Sequence, residues 1–423
     1  MISSNKSVTQ IKDTLSQNPG KGLILYCAGL MTRRLIAELA EQDITPLCVC
    51  DSNPSLHGTL CEGIEVMSID AANERFGDFL VFIANNRFLF EIIRQLNERG
   101  KVESEKIINY VPLVKKKGCK HLFGRCIASN NRLYFCCAEF GRKWEELPSV
   151  PFEDDYDKLA DDFVALREKI LYELEQGITN QCTNCPLVED IWISQNPFKI
   201  ESFAYGGFGV CNFKCIYCMA DKTGEQTIIL KPWCQSFFKK GLMDTDSLCQ
   251  FADGEITINP DKKEIYEYLN EFSQINISTN GLIYSPEIAE LLNSGKCNII
   301  VSMDAGTAET FAKIKSVDGW ERVCDTLRKY SAESEKAIVL KYILLPDINE
   351  TREEIDGFFE LVREIKPRHV IISTDFINPN LTFSEHSIEM AKYFCNQAEK
   401  LLIPCMTSSH ALSKATGIFC SHN

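Results

Sequence analysis

Three cysteines in the stretch GGFGVCNFKCIYCMA, Cys211, Cys215 and Cys218, follow the spacing Cys-x3-Cys-x2-Cys. Thiolates on one short loop can each hold one iron of a cubane, and three of them leave the fourth iron without a protein ligand. A small molecule with an amine and a carboxylate can chelate that open corner. Zinc suits the set less well, because a structural zinc site closes its tetrahedron with four protein ligands. A second group of cysteines precedes the first: Cys119, Cys126, the adjacent Cys136 and Cys137, and the Cys182-x2-Cys185 turn. Four soft ligands drawn from these suffice for one more cluster or for a structural zinc.

Bulk properties say where such chemistry would run. The chain has 423 residues and 20 cysteines. Its N-terminus, MISSNKSVTQIKD, lacks the apolar core of a secretory signal, and no apolar run reaches the roughly 18 residues of a membrane span. A cytoplasmic protein is expected, in which reducing conditions exclude a disulfide framework and direct part of the cysteine set to metal or thiol chemistry. Cys48, Cys50, Cys249, Cys297, Cys324 and Cys395 lie in apolar surroundings and are expected as small buried hydrophobes. The formal charge of -14 excludes a nucleic-acid backbone as the main partner. The one short basic run, Lys115 to Lys117, is expected in a solvated loop.

The elements that must position these cysteines follow from the apolar pattern. Residues 20–112 alternate strand-like runs (GLILYCAG, TPLCVCD, FLVFIAN) with amphipathic helices, which predicts a small parallel sheet covered by helices. The turn from Cys27 to Thr32 sits where a dinucleotide fold has its three-glycine turn, with only Gly29 present, and Asp51 stands at the ribose-acceptor position. Between the cysteine groups, Leu159, Phe163, Leu166, Ile170 and Leu174 share a face of one helix that ends at Gly177. From residue 196, six apolar runs separated by amphipathic segments predict a partial parallel barrel with ligands at the C-terminal strand ends.

Over residues 196–380 the sequence resembles the radical S-adenosylmethionine (SAM) superfamily: the cysteine loop follows the first barrel strand and Tyr217 precedes the third cysteine. The resemblance implies that Cys211, Cys215 and Cys218 bind a 4Fe-4S cluster and that Tyr217 packs against adenine. It further implies that Gly254 and Glu255 meet the methionine amino group, and that Ser278, Asn280, Ser302 and Asp304 at strand ends face ribose or substrate. Lys341 on the fifth strand is a further candidate. Ile256 replaces the proline that many relatives carry after the Gly-Glu pair, which alters a loop.

The cysteine-rich stretch is similar to the SPASM or twitch auxiliary-cluster domains, although those usually follow the barrel. This similarity implies an auxiliary 4Fe-4S cluster on Cys119, Cys137, Cys182 and Cys185, with Cys126 or Cys136 as substitutes and zinc as the rival metal. The front segment resembles small Rossmann-like domains found beside nucleotide-sugar and surface-glycan enzymes, and can be nucleotide-binding or purely structural. The expected architecture is therefore α/β: a Rossmann-like domain at 1–114, an auxiliary-cluster domain at 115–195, and a partial (β/α)6 TIM-like barrel with a C-terminal extension at 196–423. The resemblance implies an oxygen-sensitive enzyme that takes electrons from a flavodoxin or ferredoxin, cleaves SAM reductively and abstracts hydrogen from a sugar, a nucleotide-sugar or a related small molecule. A peptide-modifying maturase is the alternative within the family. A non-catalytic iron-sulfur electron carrier is the alternative of another class. Cys420 and His422 in the tail stay unassigned.

Overall fold

The computed structural model describes all residues except 1, 86–88, 99–100, 130, 137–143, 195–197, 207–209, 219–228, 253, 335–336, 376–382 and 421–423. Two units share the chain: residues 1–123 with 174–177 and 185–199, and residues 124–173 with 178–184 and 200–423. Among the described residues no helix is long and apolar enough to cross a membrane.

In the first unit β1 (Gly22–Tyr26), β2 (Cys48–Cys50), β3 (Leu60–Cys61), β4 (Ile64–Met67) and β5 (Phe79–Ile83) form one sheet in the order β3-β4-β2-β1-β5. Only β3 runs antiparallel, and its hairpin with β4 turns through Glu62 and Gly63, both at positive φ. The central strands β1, β2 and β5 are apolar because both faces are covered: Ile24, Cys48, Cys50 and Val81 enter one core, Leu25, Val49 and Phe82 the other. Cys27 takes a left-handed φ of 83°, and the Ala28 N–H donates to Asp51 Oδ2 at 2.7 Å. Asp51 Oδ1 accepts from the Asn53 N–H at 2.8 Å. The expected ribose acceptor thus closes the first turn of its own domain.

The cysteine-rich stretch supplies β6 (Leu113–Gly118), β7 (Arg125–Ser129), β8 (Arg132–Tyr134), β9 (Ser149–Pro151) and β10 (Glu189–Ser194). β6 and β10 pair antiparallel in the first unit, whereas β7 to β9 join the large sheet of the second. In place of the separate domain expected over 115–195, this stretch is divided between the two units. The physical reason is strand pairing: the apolar RCIAS of β7 finds its parallel partner at residues 202–205, far outside the stretch. Lys115 to Lys117 lie in β6 and not in a loop; Lys115 pairs with Asp190 at 3.0 Å and Lys116 with Glu175 at 2.7 Å.

The second unit adds β11 (Ser202–Tyr205), β12 (Leu248–Phe251), β13 (Ile275–Ser278), β14 (Cys297–Ser302), β15 (Ile338–Leu344), β16 (His369–Thr374) and β17 (Cys405–Thr407). Its sheet runs β17-β16-β15-β14-β13-β12-β11-β7-β8-β9, with every neighbour from β17 to β7 parallel. β11 to β16 are the six runs read from the sequence, a partial (β/α)6 TIM-like barrel, which β17 extends on one side and β7 to β9 on the other. Burial alternates along β13 and β14: Ile275, Ile277, Cys297, Ile299 and Val301 are buried, while Asn276, Ser278, Asn298 and Ser302 are half-buried on the opposite face.

Local signals fix the covering helices. Ser285, Thr307 and Thr351 cap helices Pro286–Asn293, Ala308–Lys315 and Arg352–Ile365 through their side-chain oxygens. Glu354 accepts from the Gly306 N–H at 2.7 Å and from the hydroxyls of Thr307 at 2.8 Å and Thr310 at 2.7 Å. A Cβ on Gly306 would collide with the Glu354 carbonyl oxygen, and one on Gly357 with the Gly306 carbonyl. Gly306→Ala is accordingly expected to lose about 3 kcal/mol by overpacking against rigid backbone, read as a lower urea midpoint at an unchanged slope. A wild-type midpoint would contradict this close approach.

Helix Tyr156–Gln176 buries Leu159, Phe163, Ile170 and Leu174, as its periodicity predicts, and half-buries Leu166. Cys48, Cys50, Cys249, Cys297 and Cys324 are core thiols. Cys395 departs from that expectation: it is joined to Cys405 by a disulfide, because its helix packs on β17. Cys420 is buried in a bridge with Thr407 and His422 lies outside the described residues.

Candidate functional site

The loop after β11 carries the three cysteines at the C-terminal edge of the parallel strands. Cys211 and Cys215 are half-buried, Cys218 is exposed, and none is in a disulfide. The loop is pinned by its main chain: the Glu255 N–H donates to Val210 O at 2.8 Å, the Lys214 N–H to Lys315 O at 3.2 Å, and the Ile216 N–H to Ile314 O at 3.0 Å. Between the cysteines, Phe213 is buried edge-to-face on Phe311, with ring centroids 6.0 Å apart. The Cys211 sulfur accepts from the Phe213 N–H at 3.4 Å and from Asn280 Nδ2 at 3.8 Å. Burial raises the Cys215 thiol above its ordinary value, against the pull of Lys315.

Among the described residues no three His, Cys, Asp or Glu side chains converge as a closed metal-binding group. The donor chemistry of the loop nevertheless suits an iron-sulfur cluster: three thiols within eight residues, N–H donors on the Cys211 sulfur, and an exposed Cys218.

The Gly-Glu pair shapes the neighbouring loop. Gly254 has a left-handed φ of 69°, a conformation that favours glycine there. Glu255 is fully buried and starts the short turn Ile256–Ile258. Its carboxylate accepts from Thr257 N at 3.1 Å and Thr257 Oγ1 at 2.8 Å, from Thr279 Oγ1 at 2.9 Å, and from Asn280 N at 2.7 Å. Both oxygens are therefore engaged inside the protein, where they hold the end of β13. Asn280 carries that order to the cysteine loop: its Nδ2 donates to Asn212 Oδ1 at 2.6 Å, and its Oδ1 accepts from the Leu282 N–H at 2.9 Å.

Tyr217 and Asp304, far apart in sequence, meet. The Tyr217 hydroxyl donates to Asp304 Oδ2 at 2.5 Å, and Lys315 Nζ donates to Tyr217 Oη at 2.7 Å and pairs with Asp304 Oδ2. Asp304 Oδ1 accepts from the Ile343 N–H at 2.7 Å. The Tyr217 ring packs on a patch of Ile314, Ile343 and Leu345, and burial, then the Asp304 charge, push its hydroxyl pKa up. Asp304 is fully buried, so its carboxylate is engaged by Tyr217, Lys315 and the β15 backbone.

Ser278, Ser302 and Lys341 lie half-buried on β13, β14 and β15, with Ser302 level with Lys341. The Lys341 ammonium has no hydrogen-bond or ion-pair partner among the described residues, and burial lowers its pKa.

The second cysteine group is only partly described. Cys137 lies outside the described residues. Cys119 is buried and its sulfur accepts from the Leu122 N–H at 3.4 Å. Cys182 is buried in a turn fixed by Asn180, whose Oδ1 accepts from the Cys182 N–H at 2.8 Å, and Cys185 is half-buried. Cys136 is buried, and Cys126 sits in the core of the second unit, near Cys234, where burial raises its thiol. As a metal ligand Cys126 would have to leave that core.

Lys315, Asn212, Thr257, Thr279 and Asn349 escape sequence reasoning. Lys315 ends an amphipathic helix beside Lys313 and reads as a surface lysine; only its neighbour Ser316, in the left-handed region, turns the chain there. Asn349 donates from Nδ2 to Asp304 O at 2.7 Å and to Ile343 O at 2.8 Å.

A family model described as the radical SAM superfamily matches residues 207–362. The chain is 28% identical over 182 residues to a probable GTP 3',8-cyclase of Saccharolobus islandicus, covering 42% of this chain and 58% of that protein. It is 30% identical over 176 residues to molybdenum cofactor biosynthesis protein 1 of Drosophila melanogaster, covering 36% and 28%. The chain thus spans less than two thirds of the length of these relatives. Streptococcus suis SuiB bound to precursor peptide SuiA aligns in structure with a TM-score of 0.43 and 13% identity, over 71% of this chain and 74% of that one.

Proposed function

We propose, from the premise that residues 207–362 are a radical SAM domain, that the protein is an enzyme that cleaves SAM reductively and abstracts hydrogen from a small molecule, a sugar or nucleotide-sugar. The observation that carries this reading is the three-cysteine loop at the C-terminal strand ends, bonded to Asn280 and with Cys218 exposed. Cys211, Cys215 and Cys218 would hold a 4Fe-4S cluster. When bound, that cluster supplies one electron to SAM, whose cleavage gives a 5'-deoxyadenosyl radical able to attack an unactivated C–H bond.

The chain's own residues do the rest. Glu255 and Asn280 order the strand end against the cluster loop. Ser278 and Ser302 offer hydroxyls to ribose or substrate. Lys341 offers an ammonium with no hydrogen-bond or ion-pair partner among the described residues, which suits the phosphate groups of a nucleotide-sugar. The relatives named GTP 3',8-cyclase are named for a phosphorylated nucleotide, in keeping with a phosphorylated substrate. Cys119, Cys137, Cys182 and Cys185 would hold an auxiliary cluster that takes an electron from the substrate radical or binds the substrate, and a flavodoxin or ferredoxin would reduce the enzyme.

Anoxically reconstituted, reduced protein is expected to convert SAM to 5'-deoxyadenosine; no product from fully loaded protein would favour the electron-carrier alternative. Lys341→Met is expected to weaken binding of UDP-glucose, used as the probe, by about 10- to 100-fold, the worth of one charge-assisted hydrogen bond. Because burial lowers the lysine pKa and the anion needs the protonated form, this binding should fall with rising pH earlier than an exposed lysine would allow. UDP-glucose binding unaffected by the substitution would remove the phosphate reading and leave a peptide substrate as the better one.

A further inference from the structure

We infer that Lys315 is a positioning residue: with Asp304 it forms a buried, charge-neutral post that grips the cysteine loop on both sides of Cys215. The inference rests on the reading that Cys211, Cys215 and Cys218 hold the cluster. On one side of Cys215, the Lys315 carbonyl accepts from the Lys214 N–H at 3.2 Å. On the other, its ammonium donates to Tyr217 Oη at 2.7 Å and lies 5.1 Å from the centre of that ring. Main chain and side chain of one residue thus bracket the second cysteine.

The post itself is rigid. Lys315 is 2% and Asp304 0% exposed. Asp304 adopts a left-handed φ of 57°, its carboxylate takes the Ile343 N–H, and its carbonyl takes Asn349 Nδ2. An ion pair so fully desolvated is a poor source of stability, since moving two charges out of water costs several kcal/mol per ion. Apolar side chains would pack residues 304 and 315 at least as well. What they could not supply is a directed donor for a phenol held between two metal ligands. Lys315 therefore serves the placement of the loop.

Three variants test this: Tyr217→Phe, Lys315→Arg, and the double variant Asp304→Asn/Lys315→Met, which removes both charges and leaves no lone buried ion. Each is followed by melting of the apoprotein, iron per chain after reconstitution, the electron paramagnetic resonance spectrum of the reduced cluster, and the change in that spectrum on adding SAM. Tyr217→Phe is expected to fold and load iron, to lose the SAM-dependent spectral change, and to form 5'-deoxyadenosine about tenfold more slowly, as for one lost hydrogen bond to a charged group. The double variant should retain less iron per chain and lose the SAM-dependent spectral change, and Lys315→Arg should keep both. Wild-type iron content and spectral response in the double variant together with a wild-type spectral response in Tyr217→Phe overturn the inference. If the double variant does not fold, Tyr217→Phe decides alone. Wild-type protein that takes up no iron would instead sink the cysteine assignment itself.

Discussion

Cys211→Ala is expected to abolish 5'-deoxyadenosine formation and to remove about four irons per chain, the content of one cubane. The reasoning is one of ligand count. A cluster already missing a protein ligand at one iron has three thiolates, and losing one leaves two irons exposed to solvent and oxygen. The Cys211 sulfur is also the thiol that the strand-end residue Asn280 reaches, so its loss removes one of the loop's contacts with the barrel as well. The fold should survive, because Cys211 is only half-buried and the loop keeps its bonds to residues 314 and 315. Replacing Cys182 and Cys185 together should remove a second, separate portion of iron while leaving the first in place. Iron and zinc analysis of wild type and both variants distinguishes the outcomes. Undiminished iron in Cys211→Ala would end the proposed assignment, and unchanged iron in the paired variant, or zinc in its place, would end the auxiliary cluster.

Glu255→Ala should be the most destabilising single change at the site, by about 3–5 kcal/mol. The carboxylate is wholly buried and serves the Thr257 and Thr279 hydroxyls and the Thr257 and Asn280 N–H groups. Truncation leaves those donors without an acceptor, and each unsatisfied buried group costs about 1–3 kcal/mol, less whatever an entering water recovers. Glu255→Gln preserves volume but turns an NH2 group towards donors, so it should fall between wild type and alanine. The effect should also reach the cluster loop, because Asn280 is held by Glu255 through its N–H and holds Asn212 through its side chain. Lower iron retention is therefore expected to accompany lower stability. Urea unfolding of the apoprotein checks the first part; a loss below about 1 kcal/mol would show that the carboxylate is not the keystone its hydrogen bonds describe.

What the sequence determined by itself was whatever depends on local spacing. The Cys-x3-Cys-x2-Cys loop, the six strands β11 to β16, the amphipathic face of helix Tyr156–Gln176 and most of the core thiols were legible, because ligand spacing and the periods of helix and strand act over a few residues. The tertiary structure alone decided which polar residues look inward and which are consumed by the fold. Asp304 and Glu255 read as site carboxylates, yet both are buried and saturated, one by a lysine whose own sequence suggests a surface helix end and the other by threonines two and 24 positions away. The division of the cysteine-rich stretch was equally hidden, since β7, antiparallel to its own neighbour β8, takes its parallel partner in β11, 77 residues further along the chain. Long-range pairing of this kind depends on the whole sheet closing at once, and no short window of residues encodes it.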